Sequence, residues 1–192
     1  MKEPEPYLPT LLEDLDRYVF YPYEVLVQTE KGLGYAVKCG IEKAKGDLIL
    51  VCDADGSHGP QYINALLNRL EKWNCSIVIG SRYVKGGKTQ DTLARKLISR
   101  IFCEFAKELF NLNIKDNMSG FIVAKKEVFD KYPIRNNGFK FVLDLLVRSR
   151  RTYVAREYPI VFEKRQMGKS KANSKEALHT LIFMLKLKSK LK

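Results

Sequence analysis

Two short runs, DLILVC at 47–52 and CSIVIGSR at 75–82, are apolar at consecutive positions. A strand with one wet face alternates apolar and polar residues. A run without alternation reads as a strand covered on both faces, as in a sheet flanked by helices. The segments around these runs carry helical periodicity. TLLEDLDRYVF follows Pro9, which suits a first helical turn. GYAVKCGIEKAKG is expected to be a helix closed by Gly46, and PQYINALLNRLEKW a helix opened by Pro60. With YEVLVQ read as a further strand, residues 8–82 alternate helix and strand over short links. That order implies parallel strands with crossover helices: an α/β chain with an open, mostly parallel sheet and flanking helices.

The second half is less regular. TLARKLISRIFCEFAKELF and GFKFVLDLLVRSRR read as helices, GFIVAKKEV as a short strand or turn entering a helix, and TYVAREYPIVFEK as β-rich. NSKEALHTLIFMLKLKSKLK reads as a basic amphipathic helix. The 192 residues are enough for one domain with a real core and too few for two comfortable ones. The expected division is a globular domain over 1–172 and the helix over 173–192.

In an open α/β sheet, ligands bind beyond the carboxyl ends of the strands. DLILVC ends there in Asp53 and Asp55. Residues i and i+2 of an extended chain point to one side, so both carboxylates can meet one hard cation. Such a pair is a poor all-protein cage and a good platform for Mg2+ or Mn2+ that also grips phosphate oxygens. The plain alternative is a turn, since Asp and Gly are ordinary turn formers. An EF-hand fails on count: His58 stands where that loop needs Gly, and Asn64 where it needs Glu.

The acidic pair belongs to a chain of formal charge +12, with 34 Lys and Arg against 22 Asp and Glu. Such a balance points to anionic partners. Arg82 ends the next strand, Arg95 lies on the following helix, and EKRQMGKSK offers Arg165, Lys169 and Lys171 beside Gly168. Carboxylates ringed by Arg and Lys suit a site handling more than one phosphate. Each basic residue alone reads as a solvated charge. Cys39, Cys52, Cys75 and Cys103 form no C-x-x-C pair, which argues against zinc and for reduced thiols in a cytosolic setting.

GLGYAVKCGIEKAKGDLILVCDADGSHGPQYI, IVIGSRYVKGG, ARKLIS, DNMSGF and FEKRQMGKSK stand in this order. The set resembles the family-2 glycosyltransferases, among them the dolichyl-phosphate mannose synthases, over roughly residues 24–172. The resemblance implies a nucleotide-diphospho-sugar transferase fold of GT-A type. It implies an enzyme moving a hexose, first of all mannose from GDP-mannose, onto dolichyl or polyprenyl phosphate with inversion, using Mg2+ or Mn2+. Asp53, Asp55, Arg82 and Arg95 are its implied catalytic set. Asp53 and Asp55 match the metal pair, with Ser57 as a third contact. Arg82, Arg95, Ser119 beside Gly120, and Ser170 match the acceptor-phosphate side. Glu3, Arg165 and Lys171 match the donor side together with the two aspartates. Lys31 has two readings, a nucleotide contact or a turn lysine. His58 is expected to be a structural loop residue rather than a base.

The family's opening strand with its Pro-x-Tyr-Asn-Glu-like motif, and its Asp-Asp-Gly-Ser turn and helix, are not found in residues 1–33. The expected fold is therefore N-terminally incomplete, keeping the pyrophosphate and acceptor sides and short of the nucleoside side. A degenerate, non-catalytic binding module is the competing expectation.

No run reaches the ~20 apolar residues of a membrane span. MKEPEPYLPT is acidic and proline-rich, unlike a signal peptide. Leu178, Leu181, Ile182 and Leu185 form a stripe followed by Lys186, Lys188, Lys190 and Lys192. That stripe suits the surface of an anionic membrane; the alternative is a helix packed on the domain. The expectation is a peripheral protein on the cytoplasmic face of a membrane. Nucleic acid is not an expected partner, because no aromatic–basic reader motif accompanies the charge.

Overall fold

The computed structural model describes residues 6–29, 32–135, 138, 140–164 and 174–191. Its helices are α1 (Leu8–Tyr18), α2 (Leu33–Lys43), α3 (Ile63–Lys72), α4 (Leu93–Phe110), α5 (Lys126–Lys131), α6 (Phe141–Ser149) and α7 (Ser174–Ser189). A 3-10 turn at Pro60–Tyr62 leads into α3. The strands are β1 (Leu48–Val51), β2 (Ile77–Ser81), β3 (Lys88–Thr89), β4 (Ile122–Lys125), β5 (Ala155–Pro159) and β6 (Val161–Phe162). Four form the main sheet in the order β1-β4-β2-β5, and β3 pairs with β6 in a small parallel ribbon.

β1, β2 and β5 run one way. β4 runs against them and lies between β1 and β2. The α/β architecture with an open sheet and flanking helices is as the sequence implies, with this one reversed strand inserted. Period-two alternation divides the side chains between two cores. Ile77, Ile79, Ile122 and Ala124 face the side packed by α4, α5, α6 and α7. Val78, Phe121 and Val123 face the side packed by α1 and α3, against Leu11, Leu15, Leu66 and Leu70.

Two local expectations are corrected and a third is refined. YEVLVQ is not a strand: residues 22–29 carry no regular structure, and Tyr23, Val25, Leu26 and Val27 are exposed. Among the described residues nothing pairs with this run, and β propensity is realised only against a neighbour. Instead the Glu24 carboxylate accepts the Lys45 and Gly46 N–H groups at 2.6 and 3.3 Å. That same contact bears on the second correction. α2 ends at Lys43 with an extended Ala44 (ψ 134°), three residues before Gly46, which is not its cap. The third concerns DLILVC, which is refined rather than overturned: Ile49 and Val51 pack into one core and Leu50 against the other, but among the described residues β1 pairs only with β4 and so lies at the sheet edge, with Leu48 39% exposed.

The last helix is joined to the domain. Met184 and Leu187 lie in the larger core cluster, and Lys188 Nζ donates to the Leu109 carbonyl at the end of α4. The stripe Leu178, Leu181, Ile182 and Leu185 faces outward.

Candidate metal and phosphate site

β1 ends at Val51, and the chain then turns through Asp53–Gly59. Gly56 has φ +80°, a value that L side chains rarely adopt. This turn folds Ser57 back onto Asp55. The Ser57 N–H and Oγ–H both donate to Asp55 Oδ1, at 3.0 and 2.5 Å. Asp55 is only 4% exposed, while Asp53 is half-buried. The Asp53 backbone N–H donates to Nδ1 of the buried His58 at 2.9 Å. Gly120 closes the far side: a Cβ there would lie 3.9 Å from Asp53 Oδ2 and 3.5 Å from the His58 ring.

Both carboxylates act on the groups beside them. Burial, and then the charges of Asp53 and Asp55, push the Cys52 thiol up to about 12. Burial holds the His58 pKa below its usual 6.5, although both aspartates pull the other way. Among the described residues no group of three or more His, Cys, Asp or Glu could hold a metal. Two oxygen donors, one tethered by Ser57, fit a hard divalent cation that keeps positions for water and phosphate oxygens. The chemistry of the pair therefore fits Mg2+ or Mn2+.

The carboxyl end of β2 is built differently. Arg82 follows β2, and its N–H, Nε and Nη2 donate to the Asp116 carboxylate at 2.8, 2.8 and 2.7 Å. Asp116 is fully buried, and the Arg82 side chain is 12% exposed. Burial works against the Arg82 charge, but the hydrogen bonds and charge of Asp116 prevail and raise its pKa. Glu157 on β5 fixes the loop bearing Asp116. Its carboxylate accepts the N–H groups of Lys115 and Asp116 and the Ser81 hydroxyl, at 2.8, 2.9 and 2.6 Å. The guanidinium also lies over the Tyr83 and Phe162 rings.

The remaining expected residues fall in several places. Ser119 is buried, and its hydroxyl donates to the Gly80 carbonyl at 2.7 Å while accepting the Phe121 N–H. Arg95 stands exposed in the first turn of α4. Glu3, Lys31, Arg165, Ser170 and Lys171 lie outside the described residues, as do Gly168, Lys169 and Lys192. Thus Asp53, Asp55 and Ser57 come together in one loop, beside the Ser119–Gly120 turn. Asp116 and Glu157 were not singled out from the sequence. The one available signal for Asp116 was its place at the head of DNMSGF.

The family model described as "Glycosyl transferase family 2" matches residues 7–133. A dolichol-phosphate mannosyltransferase of Pyrococcus furiosus is 36% identical over 171 residues, covering 87% of this chain and 48% of its own. A polyprenol monophosphomannose synthase of Mycolicibacterium smegmatis is 32% identical over 166 residues, covering 80% of this chain and 62% of its own. Among solved structures, glucosyl-3-phosphoglycerate synthase from Mycobacterium tuberculosis was crystallised with Mn2+, UDP-glucose and phosphoglyceric acid. It matches with a TM-score of 0.60 at 15% identity, over 85% of this chain and 57% of that one, a likeness of fold. The chain spans about half the length of the P. furiosus relative.

Proposed function

Because the chain belongs to glycosyl transferase family 2, we propose that it transfers a hexose, first of all mannose from GDP-mannose, to a dolichyl or polyprenyl phosphate with inversion. The observation that carries this reading is the acidic loop just past the sheet edge, in which Asp53 is fixed through His58 and Asp55 through Ser57. Asp53 and Asp55, with Ser57 at their side, are the residues that would hold Mg2+ or Mn2+. Such a cation, when bound, supplies positive charge for the departing diphosphate.

The chain's own residues do the rest. Asp116 takes the Nε–Nη2 edge of Arg82 and fixes the direction of the guanidinium. The other edge remains the one a phosphate would meet, since guanidinium carries donors on both. Arg95 adds charge from α4. An acceptor phosphate monoester has a second pKa of about 6 and is largely ionised at neutral pH. The reaction therefore calls for cations around the acceptor rather than for a strong general base. Glu3, Lys31, Arg165, Ser170 and Lys171 belong to this proposal through the family resemblance alone.

A peripheral seat on the cytoplasmic face of a membrane completes the reading. No described helix is long and apolar enough to cross a bilayer. On α4, Leu93, Leu97, Ile101 and Phe105 recur every four residues and are exposed, Leu93 by 84%. They lie opposite Cys103, Ala106 and Phe110, which face the core. α7 packs on α4 and adds Leu178, Leu181, Ile182 and Leu185. Lys96, Arg100 and Lys186 are exposed on the same two helices. Apolar stripes edged by cations suit an anionic lipid surface.

The test is an assay with a short polyprenyl phosphate and GDP-mannose in the presence of Mn2+. Lipid-linked mannose is expected, with Asp55→Asn lowering its rate at least a hundredfold. Full activity in that variant sinks the metal assignment. The exposed run at 23–27, which joins no ladder among the described residues, favours one second reading, a non-catalytic module. That reading predicts Mn2+ uptake in calorimetry without any response to GDP-mannose. The membrane seat is checked by sedimentation with phosphatidylglycerol vesicles, where Leu97→Glu with Ile101→Glu is expected to release most of the bound protein.

A further inference from the structure

His58 touches three segments that meet at the acidic loop. Its Nδ1 accepts the Asp53 N–H, so its own proton resides on Nε2. Its ring stacks on Phe121, with centroids 4.9 Å apart and planes 11° from parallel. It meets the Phe162 ring edge-on at 5.4 Å, and its backbone forms an isolated bridge with Phe162. Next to that bridge the Glu163 N–H donates to the Ser57 carbonyl at 3.1 Å. One buried imidazole therefore joins the aspartate loop, the Ser-Gly-Phe turn and β6.

A plain core histidine needs none of this arrangement. The Asp53 N–H lies just past the end of β1, where no ladder partner takes it, and a buried N–H needs an acceptor. Nδ1 is that acceptor, so the imidazole fixes the backbone from which the Asp53 carboxylate projects. The same ring and the Glu163–Ser57 bond tie β6 to the loop.

We propose that His58 is a positioning residue for the divalent cation: it holds Asp53 in the orientation the cation needs, and it couples cation uptake to the seating of β6. This inference rests on the metal reading above. His58 does not touch the cation or the substrate. It acts through the Asp53 backbone on one side and through Phe162 and Glu163 on the other.

Two substitutions separate this role from simple packing. His58→Phe keeps the aromatic stack and loses the acceptor. His58→Asn keeps an acceptor near the Nδ1 position and loses the ring. The readouts are Mn2+ affinity by calorimetry and amide exchange at Phe162 and Glu163 with and without Mn2+. His58→Phe is expected to weaken Mn2+ about ten- to a hundredfold, as removal of outer-shell partners of a metal site does. His58→Asn is expected to stay within about threefold of the unaltered chain. Mn2+ is expected to slow exchange at both amides in the unaltered chain and in His58→Asn, and to lose that effect in His58→Phe. The opposite ranking, with Asn weak and Phe normal, overturns the proposal in favour of packing. Equal affinities in all three proteins overturn it as well. An unaltered chain that takes up no Mn2+ brings down the metal reading and this proposal together. Normal Mn2+ binding that ignores His58→Phe brings down this proposal alone.

Discussion

β1 and β2 are strands of similar apolar character in different surroundings. LILV is apolar throughout and IVIGS up to its last residue, Ser81, and both lead into a polar loop at the carboxyl end. β2 has β4 on one side and β5 on the other, and all five of its residues are buried. Among the described residues β1 has one neighbour, and its burial falls from Ile49 to Leu48, 39% exposed. Their loops differ in the same sense. Arg82 after β2 is enclosed by Asp116, which is itself held by Glu157. Asp53 after β1 is held by one backbone bond to His58, with its carboxylate beside the open turn at Gly120. The lesson is that a buried counter-charge fixes the direction of the Arg82 side chain, whereas a loop on the sheet edge fixes Asp53 through its backbone.

The contrast can be broken most forcefully at Asp116. Asp116→Ala leaves the Arg82 guanidinium buried without its counter-charge. A loss of about 3–5 kcal/mol is expected in urea unfolding, the usual cost of removing one partner of a buried pair. A loss under 1 kcal/mol would mean that water or another carboxylate reaches Arg82.

A smaller effect sharpens the comparison of the strands themselves. Ile79→Ala in β2 removes a side chain with no exposure and is expected to cost about 2–5 kcal/mol. Leu48→Ala in β1 is expected to cost under about 1 kcal/mol, because its side chain already keeps much of its contact with water. Equal losses at the two positions would show that the free edge of β1 is covered in solution.

The smallest effect is in pH. Burial lowers the His58 pKa below 6.5, with Arg82 assisting and Asp53, Asp55 and Asp116 opposing. The folded chain then keeps a neutral imidazole, while the unfolded chain takes up a proton near 6.5. Its contribution to stability is complete above pH 6.5 and is lost as the pH falls from there toward the lower folded value. The urea midpoint of the metal-free protein is expected to decline between pH 7 and 5.5, and to decline less in His58→Phe. An identical slope in both proteins would remove His58 as the cause.

Much of this molecule could be read along the chain. The apolar period of 3.6 located α3, α4 and α7 to within a few residues, because each has one face toward a core, while α6, buried nearly all round, was located by its apolar run. The spacing of Asp53 and Asp55 located the acidic loop, because its geometry depends on residues two apart. The failures share one cause. Residues 23–28 have the composition of a strand, and only a neighbouring ladder could have made them one. The antiparallel β4 enters between β1 and β2 from far along the chain. Asp116 lies 34 residues from Arg82 and 41 from Glu157, so no local pattern could announce the network.

By itself the sequence determined the helices, the composition of the strands, the acidic pair and the basic surroundings. These follow from periodicity and from residue chemistry over a few positions. The tertiary structure alone decided which strand became an edge, which aspartate was enclosed by arginine, and which loop histidine took the Asp53 N–H. Those outcomes depend on backbone partners and counter-charges brought together from distant parts of the chain.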